Sequence, residues 1–219
     1  MNEEFVLEKG IGVKSLEMIC SAVFPNKCLF CGKILLDNRA LCGDCDGGTV
    51  SKRDINDIKS AYIACEYDEG ARNVIFRFKY EGKRLLSKPM ANLIFKKADN
   101  ITGDFLIPVP LHKKRLKERG FNQAGLLAAE LAELTKLPAY DGLRRVKETE
   151  KQFELGPEQR EANMDDAFAL CNGFCVDDAD ILLVDDILTT GATVRACAKV
   201  LKQAGARSVS LIVFASAVL

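Results

Sequence analysis

Two groups of residues in this 219-residue chain have types and spacings suited to chemistry. The first is sulfur. In CLFCGKILLDNRALCGDC, residues 28 to 45, Cys28 and Cys31 make one CxxC pair and Cys42 and Cys45 another, ten residues apart. Each CxxC turn brings two thiols to one side of a tight loop, with Gly32 and Gly43 where unusual backbone angles are needed. One such turn reads as well as a redox pair; two at this spacing read as a tetrahedral sulfur site for structural zinc. Four sulfurs leave no open position for catalysis, although an iron–sulfur cluster also takes four cysteines. Lys27, Lys33 and Arg39 are close enough in sequence to offset the negative charge.

The second group is ILLVDDILTTGATV, residues 181 to 194. Four apolar residues lead into Asp185 and Asp186. Adjacent carboxylates are rich in acceptors and suit the two hydroxyls of a ribose. Thr189, Thr190, Gly191, Ala192 and Thr193 then offer hydroxyls, small side chains and unpaired N–H groups at a helix start. That is a phosphate cradle, in which the helix dipole contributes about 0.3–1 kcal/mol. Ile187 and Leu188 keep the phosphate away from the carboxylates. The combination fits a sugar with hydroxyls at one end and phosphate at the other. No GxxxxGK[ST] or post-strand GxGxxG is present, which argues against a P-loop ATPase and a dinucleotide fold.

These groups need a scaffold. SAYIACEY (60–67), FLIPVP (105–110), AFALC (167–171), DILLVDD (180–186) and SVSLIVF (208–214) read as strands. ARNVIFRFK (71–79), LLSKPMANLIFKKA (85–98), NQAGLLAAELAELTK (122–136) and RACAKVLKQAG (195–205) read as helices. Asn122 suits an N-cap, Pro138 stops the third helix and Gly205 closes the fourth. Alternating strands and helices predict an α/β fold with a mostly parallel sheet. Ligands of such sheets bind outside the carboxyl ends of the strands, where Asp185 and Asp186 fall. We expect residues 1–56 to form an N-terminal helix and the four-cysteine region, with 46–60 as linker, and 57–219 to form the main domain.

Lys+Arg and Asp+Glu both number 31, so no net field draws the chain to nucleic acid or membrane. No apolar run is long enough to span a bilayer, and the acidic start is unlike a signal peptide. A cytoplasmic protein is expected. The nine cysteines are an odd count, and Cys20, Cys65, Cys171, Cys175 and Cys197 are scattered, unlike a secreted disulfide framework.

ILLVDDILTTGATV resembles the phosphoribosyl pyrophosphate motif of type I phosphoribosyltransferases. IPVPLHKKRLKERGFNQAGLLA (107–128) and TEKQFELGPEQREAN (149–163) are similar to the ComF family of competence-associated proteins, whose members carry an N-terminal four-cysteine zinc motif. The likeness runs from about Cys20 to Phe214. It implies a type I phosphoribosyltransferase fold, a link to DNA uptake in natural transformation and, in some bacteria, a helicase partner. It implies that the phosphoribosyl pyrophosphate site comprises Asp185, Asp186 and Thr189 to Thr193. The basic segment PLHKKRLKERG corresponds to the pyrophosphate loop, with Arg115 and Arg119 as the best candidates because guanidinium grips pyrophosphate bidentately. His112, the one histidine, reads more readily as a loop hydrogen-bonding residue than as a catalyst. Lys79 and Lys83 are further phosphate candidates. Residues 146 to 160 fall where type I enzymes have a lid over the substrate; Gln152, Arg160 and Asn163 match the family pattern.

Three functions compete. The first, which we favour, is a transferase using phosphoribosyl pyrophosphate and magnesium, the metal bridging ribose and pyrophosphate oxygens; no acceptor is readable. The second is a catalytically inactive module gripping single-stranded DNA, which the neutral charge and the few aromatics among the basic residues disfavour. The third is an adaptor docking a helicase or other competence protein.

Overall fold

The computed structural model describes residues 26–37, 39–46, 53–55, 58–98, 100–146 and 167–217. Cys20, the expected N-terminal helix and Gln152, Arg160 and Asn163 lie outside the described residues.

A five-stranded sheet organises the chain in the order β1-β2-β7-β6-β3. Its strands are β1 (Arg53–Ile55), β2 (Ile58–Glu66), β3 (Phe105–Pro108), β6 (Asp180–Leu188) and β7 (Ser208–Ser216). β1 runs antiparallel to β2, and the other neighbours are parallel. The helices are α1 (Glu69–Tyr80), α2 (Ser87–Lys97), α3 (Lys113–Arg119), α4 (Gln123–Thr135) and α5 (Ala192–Gln203).

Every residue of β7 is buried, as in a strand covered on both faces. Alternation along β6 divides the core in two. Leu182 and Val184 pack with Phe78, Leu127 and Phe214, whereas Ile181 and Leu183 pack with Val194, Cys197 and Leu201. α1 and α4 thus cover one face and α5 the other. Asp68 caps α1 by accepting the Ala71 N–H at 2.8 Å.

Several elements differ from the sequence reading. The strand at 167–171 is present as β5 (Phe168–Leu170), but it pairs antiparallel with β4 (Leu143–Arg145) outside the main sheet. β1 falls within the expected linker. The acidic pair does not end β6, because Asp185, Ile187 and Leu188 continue the ladder against Val213, Ala215 and Ser216. The basic segment holds its own short helix, α3, ended by Gly120 at φ +73°. Asn122 begins α4 without a side-chain cap; its Nδ2 instead donates to Val109 O at 3.1 Å.

The four-cysteine knuckle packs on the α1 face. Phe30 meets Phe214 edge-on at 6.5 Å and lies so close to Gly70 that a Cβ there would sit 3.0 Å from the ring. Asp46 pairs with Lys97 at 2.8 Å and Lys96 at 3.4 Å. Cys28, Leu29, Leu41 and Cys42 are buried in the same core as Phe78 and Phe214. Among the described residues, no helix is long and apolar enough to cross a membrane.

Candidate functional site

All the parallel strands end at one edge, and three segments converge there. Val109 N–H donates to Val184 O at 2.9 Å, which ties the basic segment after β3 to the end of β6. α1 leaves the end of β2 and brings Lys79 to Asp186, with Nζ 2.8 Å from a carboxylate oxygen. The third segment is the turn from β6 into α5.

The acidic pair is split by the pleat. Asp186 is buried against α1 with Lys79, so two residues read as ligand contacts bind each other. Asp185 is half-buried on the opposite face, and its Oδ1 accepts the Asp186 N–H at 2.8 Å. Burial first, and then the Asp186 charge, push the Asp185 carboxyl up to about 7, against the opposing pull of Lys79, the Asp186 N–H and Arg145.

The turn is built as a helix entry. Gly191 takes the left-handed conformation at φ +78°, which glycine adopts without penalty. Thr190 Oγ1 accepts the Ala192 N–H at 3.4 Å, and Arg195 reaches back to donate to Thr190 O at 3.0 Å. No acidic residue lies in the first turn of α5, and the Arg195 guanidinium folds back over it, so the local charge favours an anion. Thr189 and Thr190 are exposed, whereas Gly191 and Ala192 are buried and Thr193 is half-buried.

The basic residues have distinct surroundings. His112 starts α3, its Nδ1 accepting the Lys114 N–H at 3.4 Å. Arg119 is fastened: it donates to Gln123 Oε1 at 3.0 Å and Tyr80 Oη at 3.4 Å, and lies 5.1 Å over the Tyr80 ring. Arg115 is exposed on α3. Sequence reasoning missed Arg145 and Arg195. Arg145 ends β4 with its guanidinium 5.4 Å over Phe168, and it feels the charges of Arg115 and Asp185. Neither arginine lies in a stretch whose pattern separates it from a solvated surface residue; only the fold brings them to the edge.

The four cysteines come together. Their Sγ atoms all lie within 4.8 Å of one another, and Cys31 and Cys42 Sγ are 3.7 Å apart. Zinc–sulfur bonds of about 2.3 Å place tetrahedral sulfurs about 3.8 Å apart, so the geometry is compatible with zinc, and the thiols are too distant for a disulfide. Burial works against ionising Cys28, but N–H groups of Cys31, Cys42 and Phe30 outweigh it and lower the thiol to about 6. Lys33 and Arg39 are paired with Asp44 and Asp37, and Lys33 also feels the Cys42 and Cys31 thiols. Among the described residues, no second group of His, Cys, Asp and Glu is gathered closely enough to hold a metal.

Comparison with known proteins adds family context. The phosphoribosyl transferase domain model matches residues 116–217, from α3 through β7. Competence protein F of Haemophilus influenzae is 30% identical over 195 residues, spanning 84% of this chain and 82% of that protein. Competence protein ComFC of Bacillus subtilis is 29% identical over 187 residues, 84% and 75% of the two chains. DNA utilization protein YhgH of Salmonella typhi is 31% identical over 147 residues, 63% of each. Among solved structures, glutamine phosphoribosylpyrophosphate amidotransferase of B. subtilis aligns with 60% of this chain and 26% of its own length, at 20% identity and TM-score 0.40.

Proposed function

The chain belongs to the ComF family, with a phosphoribosyltransferase-type fold, and on that premise we propose that it binds phosphoribosyl pyrophosphate or a related ribose phosphate and serves DNA uptake. One observation carries the binding reading: half-buried Asp185 and the acid-free N-terminus of α5 share one sheet edge. The carboxylate accepts ribose hydroxyls, while Thr189 to Thr193 hold the 5-phosphate through hydroxyl and backbone donors. Arg115, exposed on α3 and close enough to Arg145 for their charges to interact, would serve the pyrophosphate end. The competence role follows the names of the relatives.

The reaction this arrangement suits is transfer of the phosphoribosyl group with departure of pyrophosphate. Magnesium, when bound, would supply charge neutralisation for that leaving group. Cys28, Cys31, Cys42 and Cys45 would hold zinc as a structural ion.

A second reading, single-stranded DNA binding, is favoured by a surface that the linear sequence does not display. Phe76 and Tyr80 are 54% and 63% exposed with ring centroids 5.2 Å apart. Arg119 lies over Tyr80, and exposed Lys83, Arg84, Lys113, Lys114 and Lys117 occupy neighbouring segments. Bases stack on such rings while cations follow the phosphates. Equilibrium binding of phosphoribosyl pyrophosphate and of single-stranded DNA, each over a salt series, separates the two. Saturable sugar-phosphate binding without appreciable DNA affinity supports the first. DNA affinity that falls steeply with salt and drops in Phe76→Ala/Tyr80→Ala, with no sugar-phosphate binding, supports the second.

A further inference from the structure

We propose that the four-cysteine knuckle controls the ligand edge through α1: a metal on the cysteines seats the helix, and the seated helix holds the edge ready for a sugar phosphate. The ligand half rests on the sugar-phosphate reading; the route between the two centres stands on packing.

α1 is attached at both ends. Its first turn lies against the knuckle, where Gly70 leaves the Phe30 ring so little clearance that a Cβ would sit 3.0 Å from it. Its last turn carries Lys79, whose Nζ is 2.8 Å from Asp186 at the end of β6. Gly70 and Lys79 are roughly 14 Å apart along the helix axis. Between them Ala71, Val74, Ile75 and Phe78 are buried, in one core with Cys28, Leu29, Leu41 and Cys42 of the knuckle. Close-packed helices shift as units, so a displacement at the head of α1 is carried to its tail.

Phe30 belongs to the Cys28–Cys31 turn. The backbone bonds that Cys28, Leu29 and Gly32 donate go to Lys33, Ala40 and Cys28, all inside the knuckle. The place of the ring therefore depends on how the knuckle closes, and four sulfurs joined by a metal close it more firmly than four thiols. The route is also one-sided. Among the described residues, the buried side chains of the knuckle belong to the α1-side core, whereas Val194, Cys197 and Leu201 of α5 belong to the other.

At the far end the Asp186 side chain is 4% exposed. With α1 unseated, that carboxylate would lose its partner in a site with little water to replace it. The Lys79 charge bears on Asp185 as well, so both carboxylates would feel the change. Apparent affinity for a sugar phosphate then scales with the fraction of chains in which α1 is seated. Linkage makes the effect reciprocal: the factor by which metal strengthens sugar-phosphate binding is the factor by which sugar phosphate strengthens metal binding.

The test compares the full chain loaded with zinc and the same chain stripped by a chelator. In hydrogen exchange without ligand, stripping should cost the α1 amides about tenfold or more in protection, while α5 amides stay within about threefold. In calorimetry, ribose 5-phosphate affinity should fall about fivefold or more on stripping. Saturating ribose 5-phosphate should raise zinc affinity by that same factor, read by competition with a chromophoric chelator. Phe30→Ala keeps all four cysteines; it should still take up one zinc, but its α1 exchange and ribose 5-phosphate affinity should no longer respond to it. The route is wrong if zinc leaves α1 protection unchanged in wild type, if α1 and α5 lose protection together, or if Phe30→Ala couples the two ligands as wild type does. Zinc-dependent α1 protection in a wild type that binds no ribose 5-phosphate would uphold the route and overturn the sugar-phosphate reading. The wild-type exchange comparison needs neither ligand nor variant and decides the route alone.

Discussion

Asp185 carries a pH signature that follows from its surroundings. Burial and the neighbouring Asp186 hold its carboxyl up to about 7 in the folded chain, against an ordinary value near 4 when unfolded. Between those values the folded state keeps a proton that the unfolded state releases. Its contribution is therefore full below about pH 4 and is lost as pH rises through 7, at no more than about 1.4 kcal/mol per pH unit. Asp180, held below the usual carboxylate range by hydrogen bonds from Arg207 and Ser208, has the opposite sign, and its window lies under pH 4. Chemical denaturation at pH 5 and pH 8 should show Asp185→Asn losing less stability, or gaining more, toward pH 8 than wild type does. The comparison between the two proteins is what counts, because the Cys28 thiol, lowered to about 6, contributes with the opposite sign over the same range in both. Arg115→Ala should weaken pyrophosphate-bearing ligands more than ribose 5-phosphate in calorimetry, because exposed Arg115 belongs to the leaving-group end; equal losses would move the basic segment elsewhere. The acidic pair and its threonines stand out as candidates from residue types. The pairing of Asp186 with Lys79 does not, because nothing in DD points to a lysine more than a hundred residues earlier.

At the scale of elements, long periodic segments were readable and short ones were not. α4 was clear because Leu127 and Leu131 recur on one buried face and Pro138 follows. α3 was hidden because its seven residues are exposed or half-exposed, with Leu116 its one apolar residue. An apolar triplet such as Phe168–Leu170 announces a strand but not which sheet receives it. The length of β6 was misjudged because its last residues are held by partners in β7. The turn into α5 was anticipated, and it gives an element-scale prediction. A Cβ at residue 191 would lie 2.9 Å from Arg195 Nη1 on a backbone at φ +78°. Gly191→Ala should cost about 1–2 kcal/mol in denaturant unfolding and reduce affinity for ribose 5-phosphate more than for ribose.

Over the described residues, the knuckle and the sheet share a core, so a metal held by the four cysteines would be coupled to the fold. Phe30 lies against Phe214 and Gly70, and Asp46 joins Lys96 and Lys97 of α2. Zinc ligation would therefore support residues far from the cysteines. The expected stoichiometry is one zinc per chain. Cys42→Ser, or a strong chelator, should remove it and lower the melting temperature of the entire chain in one transition. Elemental analysis and calorimetric melting check this; full zinc and unchanged melting in Cys42→Ser would refute the four-cysteine centre. CxxC spacing made the ligands legible, but not the knuckle's seat on the sheet, which depends on Phe30 finding a side-chain-free surface at Gly70.

The central claim is that the end of β6 and the start of α5 form a sugar-phosphate site. Its most direct test is calorimetric titration of phosphoribosyl pyrophosphate with magnesium into wild type, Asp185→Asn and Thr190→Val. The account predicts one saturable site in wild type, weakened about tenfold or more by Asp185→Asn, with charge-assisted hydrogen bonds of order 1.5–3 kcal/mol at stake. Thr190→Val should weaken it further from the phosphate end. Absence of saturable binding to wild type, or equal affinity in all three proteins, would contradict it.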